Sequence, residues 1–336
     1  MAKLVSVGVP VFRGQDFVAE TLASLQAQTH AELDVLIYVD GPDPLSEAAC
    51  QPFLADSRFR MEVLPQRVGW RNNLNFLMAA SKGDYWYFNQ QDDLVHPTYV
   101  ETLLAHADTH PEASIVYCDM QCFGSRQDLF TQTPLLGHPT TRQLTLLYEH
   151  LIPVALRGLV PAPVLKQVGH IYGNEADDFG TDCLFMAAAA RAGELHRVPL
   201  PLYLKRYHAQ NTHGKWWRWS PEERIFGWSV HCRDMLAQAM KIWARPEERR
   251  LLFSAAVARL LTTRFEYAQI ESLSRQRQAK ALREFLALAR STPGIDLAGW
   301  LNSSWEKIVK STLAFYGHRY GVREHPRSLH LFMERD

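Results

Sequence analysis

The chain has 336 residues, enough for two or three domains, and 47% of them are hydrophobic, so a sizeable core can be buried. Lys+Arg and Asp+Glu both total 36, and this zero formal charge excludes the global basic field of a nucleic-acid-binding protein. The opening "MAKLVSVGVPVF" holds too few apolar residues for a signal peptide, and no stretch reaches the roughly 18 uncharged apolar residues of a membrane span. A cytoplasmic protein is expected, at most peripheral to the inner membrane.

"LVSVGV" (4–9) is a short β-branched run of the kind that fills a parallel strand buried on both faces, and "DVLIYV" (34–39) repeats it. Between them Val18, Leu22 and Leu25 recur at helical spacing, which makes a βαβ unit. The alternation continues through "MEVL" (61–64), a helix carrying Leu74, Leu77 and Met78, "YWYF" (85–88), a helix after Pro97, and "SIVYC" (114–118). The pattern predicts an open, twisted, Rossmann-like α/β sheet, mostly parallel, with helices on both faces. Ligands bind outside the carboxyl ends of the strands in such sheets. The residues there are Pro10, Asp40, the stretch from Arg67 to Asn75, and Gln90 to Asp93. In "YFNQQDDLVHP" (87–97), Asp92 and Asp93 are adjacent, and neighbouring carboxylates call for a cation, N–H donors or bulk water to receive them.

From about residue 216 the texture changes. "WWRWSPEERIFGW" leads into Phe253, Val257, Leu261, Phe265 and Ala268, then Leu282, Phe285, Leu286 and Ala289, all spaced by three or four. This predicts a helical C-terminal domain over 216–336 after an α/β domain over 1–215, with the boundary in the polar "HAQNTHGK". Charged and small residues interrupt each apolar stripe, which favours packing on the first domain or pairing as a homodimer over resting on a membrane. Trp216, Trp217 and Trp219 either pack at the junction or stack on a sugar ring. The five cysteines (Cys50, Cys118, Cys122, Cys183, Cys232) are odd in number and form no CxxC, as expected of free thiols in a reducing compartment.

"VSVGVPVFRGQDFVAETLASLQAQTHAELDVLIYVDGPDP" followed by "GWRNNLNFLMAASKGDYWYFNQQDDLVHPTYVETL" resembles the nucleotide-binding half of family 2 glycosyltransferases of the GT-A fold. A Pro-Val-Phe near the first strand, Asp-Gly after the second and Asp-Asp-x-x-x-Pro after the fourth occur in order. The likeness covers residues 4 to 120 well and 155 to 213 more loosely, and it does not extend to the last 120 residues. The resemblance implies an inverting transferase that moves a sugar from a UDP-sugar to an acceptor hydroxyl. Its acceptor would be a glycan or lipid-linked glycan, in bacterial surface-glycan assembly.

What the resemblance implies for single residues is specific. The family's D-x-D motif falls on Gln90, Gln91, Asp92 and Asp93, with an amide in place of its first acid, so Asp92 and then Asp93 are the expected ligands of Mn²⁺ or Mg²⁺. In the other reading, Asp93 caps or lines the helix beginning near Pro97. Pro10, Phe12 and Gln91 are expected to shape the nucleotide pocket. Asp40 is expected to accept the uracil N3–H, or simply to form a turn with Gly41. Arg71, with Arg67 as rival, is expected on the diphosphate, and Asn72 and Asn75 face either ligand or solvent. In "GTDCLFMAAAARAG" the family's Glu-Asp motif falls on Thr181 and Asp182. Asp182 is then the acceptor base, or one of the two is a helix cap, with Asp177 and Asp178 in a solvated loop. His208 in "KRYHAQNTH" is a candidate third metal ligand, with structural histidine as its plainer reading, and Lys205 and Arg206 either offset phosphate charge or are plain exposed charges at a strand end. Gln90 and Thr181, standing where the family has acids, leave a non-catalytic sugar-nucleotide-binding or scaffold protein as an alternative. A nucleotidyltransferase is less favoured, because "VPVFRGQDF" lacks the Gly-rich basic loop that class needs.

Overall fold

The computed structural model describes residues 2–149, 152–242, 244–262 and 274–295. Phe265 and Ala268 of the expected stripe lie outside the described residues.

The chain divides into two compact units. The first comprises Met1–Leu136, Ile152–Tyr172 and Ala188–Asn211; the second comprises Gly137–Leu151, Gly173–Ala187 and Thr212–Asp336. The Asn211/Thr212 division falls inside "HAQNTHGK". Two earlier segments, 137–151 and 173–187, group with the C-terminal residues.

The first unit opens with β1 (Val5–Val11), α1 (Val18–Gln26), β2 (Leu33–Val39), α2 (Pro44–Cys50), β3 (Phe59–Val63), α3 (Trp70–Ala80) and β4 (Tyr85–Phe88). All of these but α2 are the expected alternating elements. β5 (Leu94–Val95), α4 (Tyr99–Thr109), β6 (Ala113–Gly124) and β7 (Leu129–Phe130) follow. Beyond α5 (Pro139–Glu149) come β8 (Val160–Pro161), α6 (Ala162–Val168), α7 (Thr181–Ala192) and β9 (Glu194–Tyr207).

One sheet has the order β3-β2-β1-β4-β8, parallel except for β8. β1 is buried at every residue, as a central strand covered on both faces must be. The chain runs outward from β1 to β3 and then returns to place β4 on β1's other side, so the strand order reverses between β1 and β4. That reversal is where open α/β sheets hold ligands. Pro10 lies past Gly8–Phe88, the last β1–β4 pair, so its missing N–H costs no ladder bond. The second sheet, β5-β9-β6-β7, is built on the long parallel pair β6–β9. It carries the chain from Glu194 to Tyr207 and so delivers the "KRYHAQN" segment.

The second unit contains α5, α8 (Pro221–Ala239), α9 (Pro246–Thr262) and α10 (Arg275–Arg290). Ser220 and Glu223 form a reciprocal capping box at the start of α8, with Pro221 in its first turn. Phe253, Val257, Leu261 and Phe285 of the expected stripes are buried. Phe179 gathers Trp216, Trp219 and Trp228 at ring separations of 5.0, 5.0 and 6.2 Å. Trp216 and Trp219 therefore pack in this unit's own aromatic cluster. Arg259 crosses its core, buried, donating to the carbonyls of Leu146 and Leu147 and to His231. All five cysteines are buried and unpaired. Among the described residues no helix is long and apolar enough to cross a membrane.

Candidate active site

Gln91 ties together the two strand ends that flank the reversal. Its amide accepts from the Phe12 N–H at 2.7 Å and donates to the Phe12 carbonyl at 2.9 Å, while its own carbonyl accepts from Thr21 Oγ1 at 2.7 Å. A carboxylate in its place could not donate the second bond, which gives an amide at this position a structural reason. Phe12, fixed by that clasp, carries the Arg67 guanidinium 4.0 Å over its ring.

Asp40, at the end of β2, is only 4% exposed. Its carboxylate accepts from the N–H groups of Val68 at 2.6 Å and Gly69 at 3.0 Å. These bonds set the backbone that enters α3, and Gly69 (φ +84°) caps that helix. Gly41 (φ +89°) follows Asp40, and a Cβ there would meet the Arg67 nitrogen at 3.0 Å, so the turn requires glycine. Asp40 thus has backbone partners, where the sequence pointed to a base. Asn72 bonds the Val68 carbonyl, and Asn75 exchanges two bonds with the Ile171 backbone at 3.0 and 2.8 Å, so both amides serve the fold. Arg71 sits partly exposed in the first turn of α3.

The adjacent acids part company. Asp93 is fully buried and accepts from the Tyr203 hydroxyl and the Arg206 N–H, each at 2.9 Å. Lys205 and Arg157 each place a cationic nitrogen 3.9 Å from it. Burial pushes the Asp93 carboxyl above the ordinary carboxylate range, with Lys205 and Arg157 opposing. Its oxygens are turned to protein donors on β9, a reason against the metal-ligand role the sequence suggested.

Asp92 turns outward. Its Oδ2 meets His208 Nε2 at 2.8 Å and Asn211 Nδ2 at 2.9 Å. The His208 side chain is 18% and that of Asp92 14% exposed, so the cluster is reachable but not loose. Phe17 lies against the His208 ring at 4.3 Å, and Asn211 Oδ1 accepts from the His208 N–H at 2.8 Å. Arg206 is not a plain exposed charge: it bonds the Asp92 carbonyl and the Glu20 carboxylate. Two ligands about 2.1 Å from an octahedral cation lie roughly 3 Å apart, so Asp92 and His208 fit a Mn²⁺-sized ion that keeps water and accepts oxygens from a ligand. The structure brings together Asp92 and His208 from residues 116 apart and leaves Asp93 out of their cluster. Asn211, Phe17 and Tyr203 were missed; only the polar tail after His208 hinted at Asn211.

Asp182 stands in the first turn of α7, partly exposed, with Oδ1 accepting from the Cys183 N–H at 2.9 Å. Thr181 is buried, and its hydroxyl donates to the Asp178 carbonyl rather than accepting a first-turn N–H. Asp177 and Asp178 adopt positive φ in the preceding loop, where Asp177 pairs with Lys215.

The sequence profile described as "Glycosyl transferase family 2" matches residues 6–158. An uncharacterized glycosyltransferase of Haemophilus influenzae is 21% identical over 62% of this chain and 67% of its own length. Two further bacterial relatives are matched over 35% and 51% of their lengths, so the chain spans about a third to a half of those proteins. Among solved structures, S. aureus TarS 1–349 in complex with UDP-GlcNAc superposes with a TM-score of 0.67 at 16% identity, covering 94% of this chain and 87% of that one. The mannosyltransferase PcManGT from Pyrobaculum calidifontis, in complex with GDP-Man and Mn²⁺, gives 0.53 at 13% identity, covering 99% and 86%. At these identities the structural likeness establishes the fold. The family 2 glycosyltransferase match over residues 6–158 and the glycosyltransferase relatives support a glycosyltransferase activity, and the fold is of the GT-A type.

Proposed function

We propose that this glycosyltransferase moves a sugar from a UDP-sugar to an acceptor hydroxyl in a single displacement. The observation that carries the reading is the convergence of His208 and Asn211 on Asp92 Oδ2, just past β4 and beside the reversal of strand order. UDP is favoured by the TarS complex with UDP-GlcNAc, and a divalent cation by the PcManGT complex with Mn²⁺. Asp92 and His208 would hold that Mn²⁺ or Mg²⁺, which when bound supplies positive charge against the departing diphosphate.

The chain's own residues do the rest. Asp40 fixes the backbone ahead of α3, so that helix presents its N-terminal N–H groups and Arg71 to an anion. The Pro10 backbone, with the Phe12–Arg67 stack, offers an apolar and cationic wall for a nucleotide. Asp93 holds β9 against the Asp92 loop and so sets where His208 stands. We assign the acceptor proton to Asp182, from its motif position and its place in the first turn of α7. One base, with no opposed nucleophile assigned among the described residues, gives inversion. A glycan or lipid-linked glycan of a bacterial surface is the proposed acceptor.

The test is UDP release from a panel of UDP-sugars with Mn²⁺ or Mg²⁺, followed by NMR of the product. A gluco- or galacto-configured α-linked donor should give the large anomeric proton coupling of a β-linked product. Asp182→Asn should lower kcat by about 10²- to 10⁴-fold with UDP affinity nearly unchanged. An α-linked product, or near-normal turnover by that variant, would contradict the assignment.

A further inference from the structure

Three imidazoles meet at the far end of the β6–β9 pair, at the start of the strand whose other end delivers His208. His106 in the last turn of α4 and His110, its C-terminal cap, stack nearly parallel at 4.1 Å, so one of these partly exposed rings must turn for both to present in-plane lone pairs to one ion. His196, near the start of β9 and 8% exposed, places Nδ1 3.3 Å from His106 Nε2. One ring nitrogen from each of the three lies within 4.8 Å of the others. Nitrogens about 2.0–2.1 Å from a tetrahedral centre are about 3.3–3.4 Å apart, which is the His106–His196 separation.

The hydrogen bonds around His196 and His110 select the tautomers a metal requires, while His106 Nε2, which donates to His196 Nδ1 without a metal, would give up that proton in favour of the ion. His196 Nε2 lies 2.9 Å from Glu194 Oε2 and 3.5 Å from Glu112 Oε1, so it is the protonated nitrogen and Nδ1 keeps its lone pair. His110 Nδ1 lies 2.9 Å from the His106 carbonyl, so it too carries its proton and leaves Nε2 with the lone pair. A ligand histidine whose second nitrogen donates to a carboxylate or a carbonyl is the usual arrangement around zinc. Burial and the two neighbouring imidazoles hold His106 below its ordinary pKa, which keeps it neutral near pH 7.

We propose that His106, His110 and His196 form a site for a borderline transition cation, with Zn²⁺ the best match. Glu194 and Glu112 orient His196 from behind. Three imidazoles suit zinc better than Mg²⁺ or Ca²⁺, which prefer oxygen. The site joins the end of α4 to the first residues of β9 and so has a structural role, apart from the Asp92–His208 cluster.

The test uses tag-free full-length protein, stripped with a chelator and dialysed against Zn²⁺, with Co²⁺ as spectroscopic probe. The wild type should bind one Zn²⁺ per chain at micromolar affinity or tighter, and Co²⁺ should show tetrahedral ligand-field bands. The pair of substitutions His106→Gln and His110→Gln, both at partly exposed positions, should weaken binding at least about tenfold with an unchanged circular dichroism spectrum. Glu194→Gln should weaken it about tenfold through His196, and Asp92→Asn should leave it intact. Failure of the wild type to bind Zn²⁺, or wild-type affinity in the doubly substituted protein, would overturn the proposal.

Discussion

Asp92 and Asp93 share a peptide bond and have opposite surroundings. Asp93 faces Tyr203, the Arg206 backbone and two cations inside the protein, whereas Asp92 meets His208 and Asn211 in a partly exposed cluster. Removing one partner of a buried charge cluster leaves the others uncompensated. Asp93→Ala should therefore cost about 3–5 kcal/mol of stability, while Asp92→Asn should change it by less than about 1 kcal/mol and remove metal-dependent turnover. Urea denaturation alongside a UDP-release assay checks both, and a stable, inactive Asp93→Ala with a destabilised Asp92→Asn would reverse the two roles. The sequence marked this pair but could not say which acid turns inward. The residues that decide, Tyr203 and Arg206, enter more than a hundred positions later. Asp40 was legible as a strand-end acid, yet its partners are backbone N–H groups, which leave no trace in residue identity.

At the scale of elements, β1, β2 and β4 were readable because parallel strands buried at all or all but one residue leave runs rich in β-branched and aromatic residues. β9 was not delimited, because "VPLPLYLKRY" mixes prolines and cations that a strand tolerates only through its pairing. The grouping of 137–151 with the C-terminal helices was also hidden, since it depends on contacts such as Arg259 with the Leu146 and Leu147 carbonyls. That core carries a pH signature. His231 is buried, its Nε2 accepts from Arg259, and burial together with that guanidinium holds the imidazole well below its ordinary value. Below about pH 6.5 the unfolded chain takes up a proton that the folded unit refuses, so stability falls as pH drops from there toward the depressed folded value. The slope from this one group should be about 1.4 kcal/mol per pH unit within that window, and His231→Gln should remove it. Denaturation curves at pH 7.5, 6 and 5 on both proteins measure the difference, and equal pH dependence would refute it.

For the whole molecule, the family match over residues 6–158 and the fold were legible from the order of short motifs, because those motifs sit at strand ends that the sheet brings to one edge. The central claim is that Asp92 and His208 receive a cation and, through it, a nucleoside diphosphate. Calorimetric titration of UDP, with GDP as control, into wild type and Asp92→Asn, each with Mn²⁺ or with chelator, tests it most directly. Mn²⁺ should tighten UDP binding to the wild type at least about tenfold and have little effect on Asp92→Asn. Equal UDP affinity with and without metal in the wild type, or an undiminished metal effect in Asp92→Asn, would contradict it.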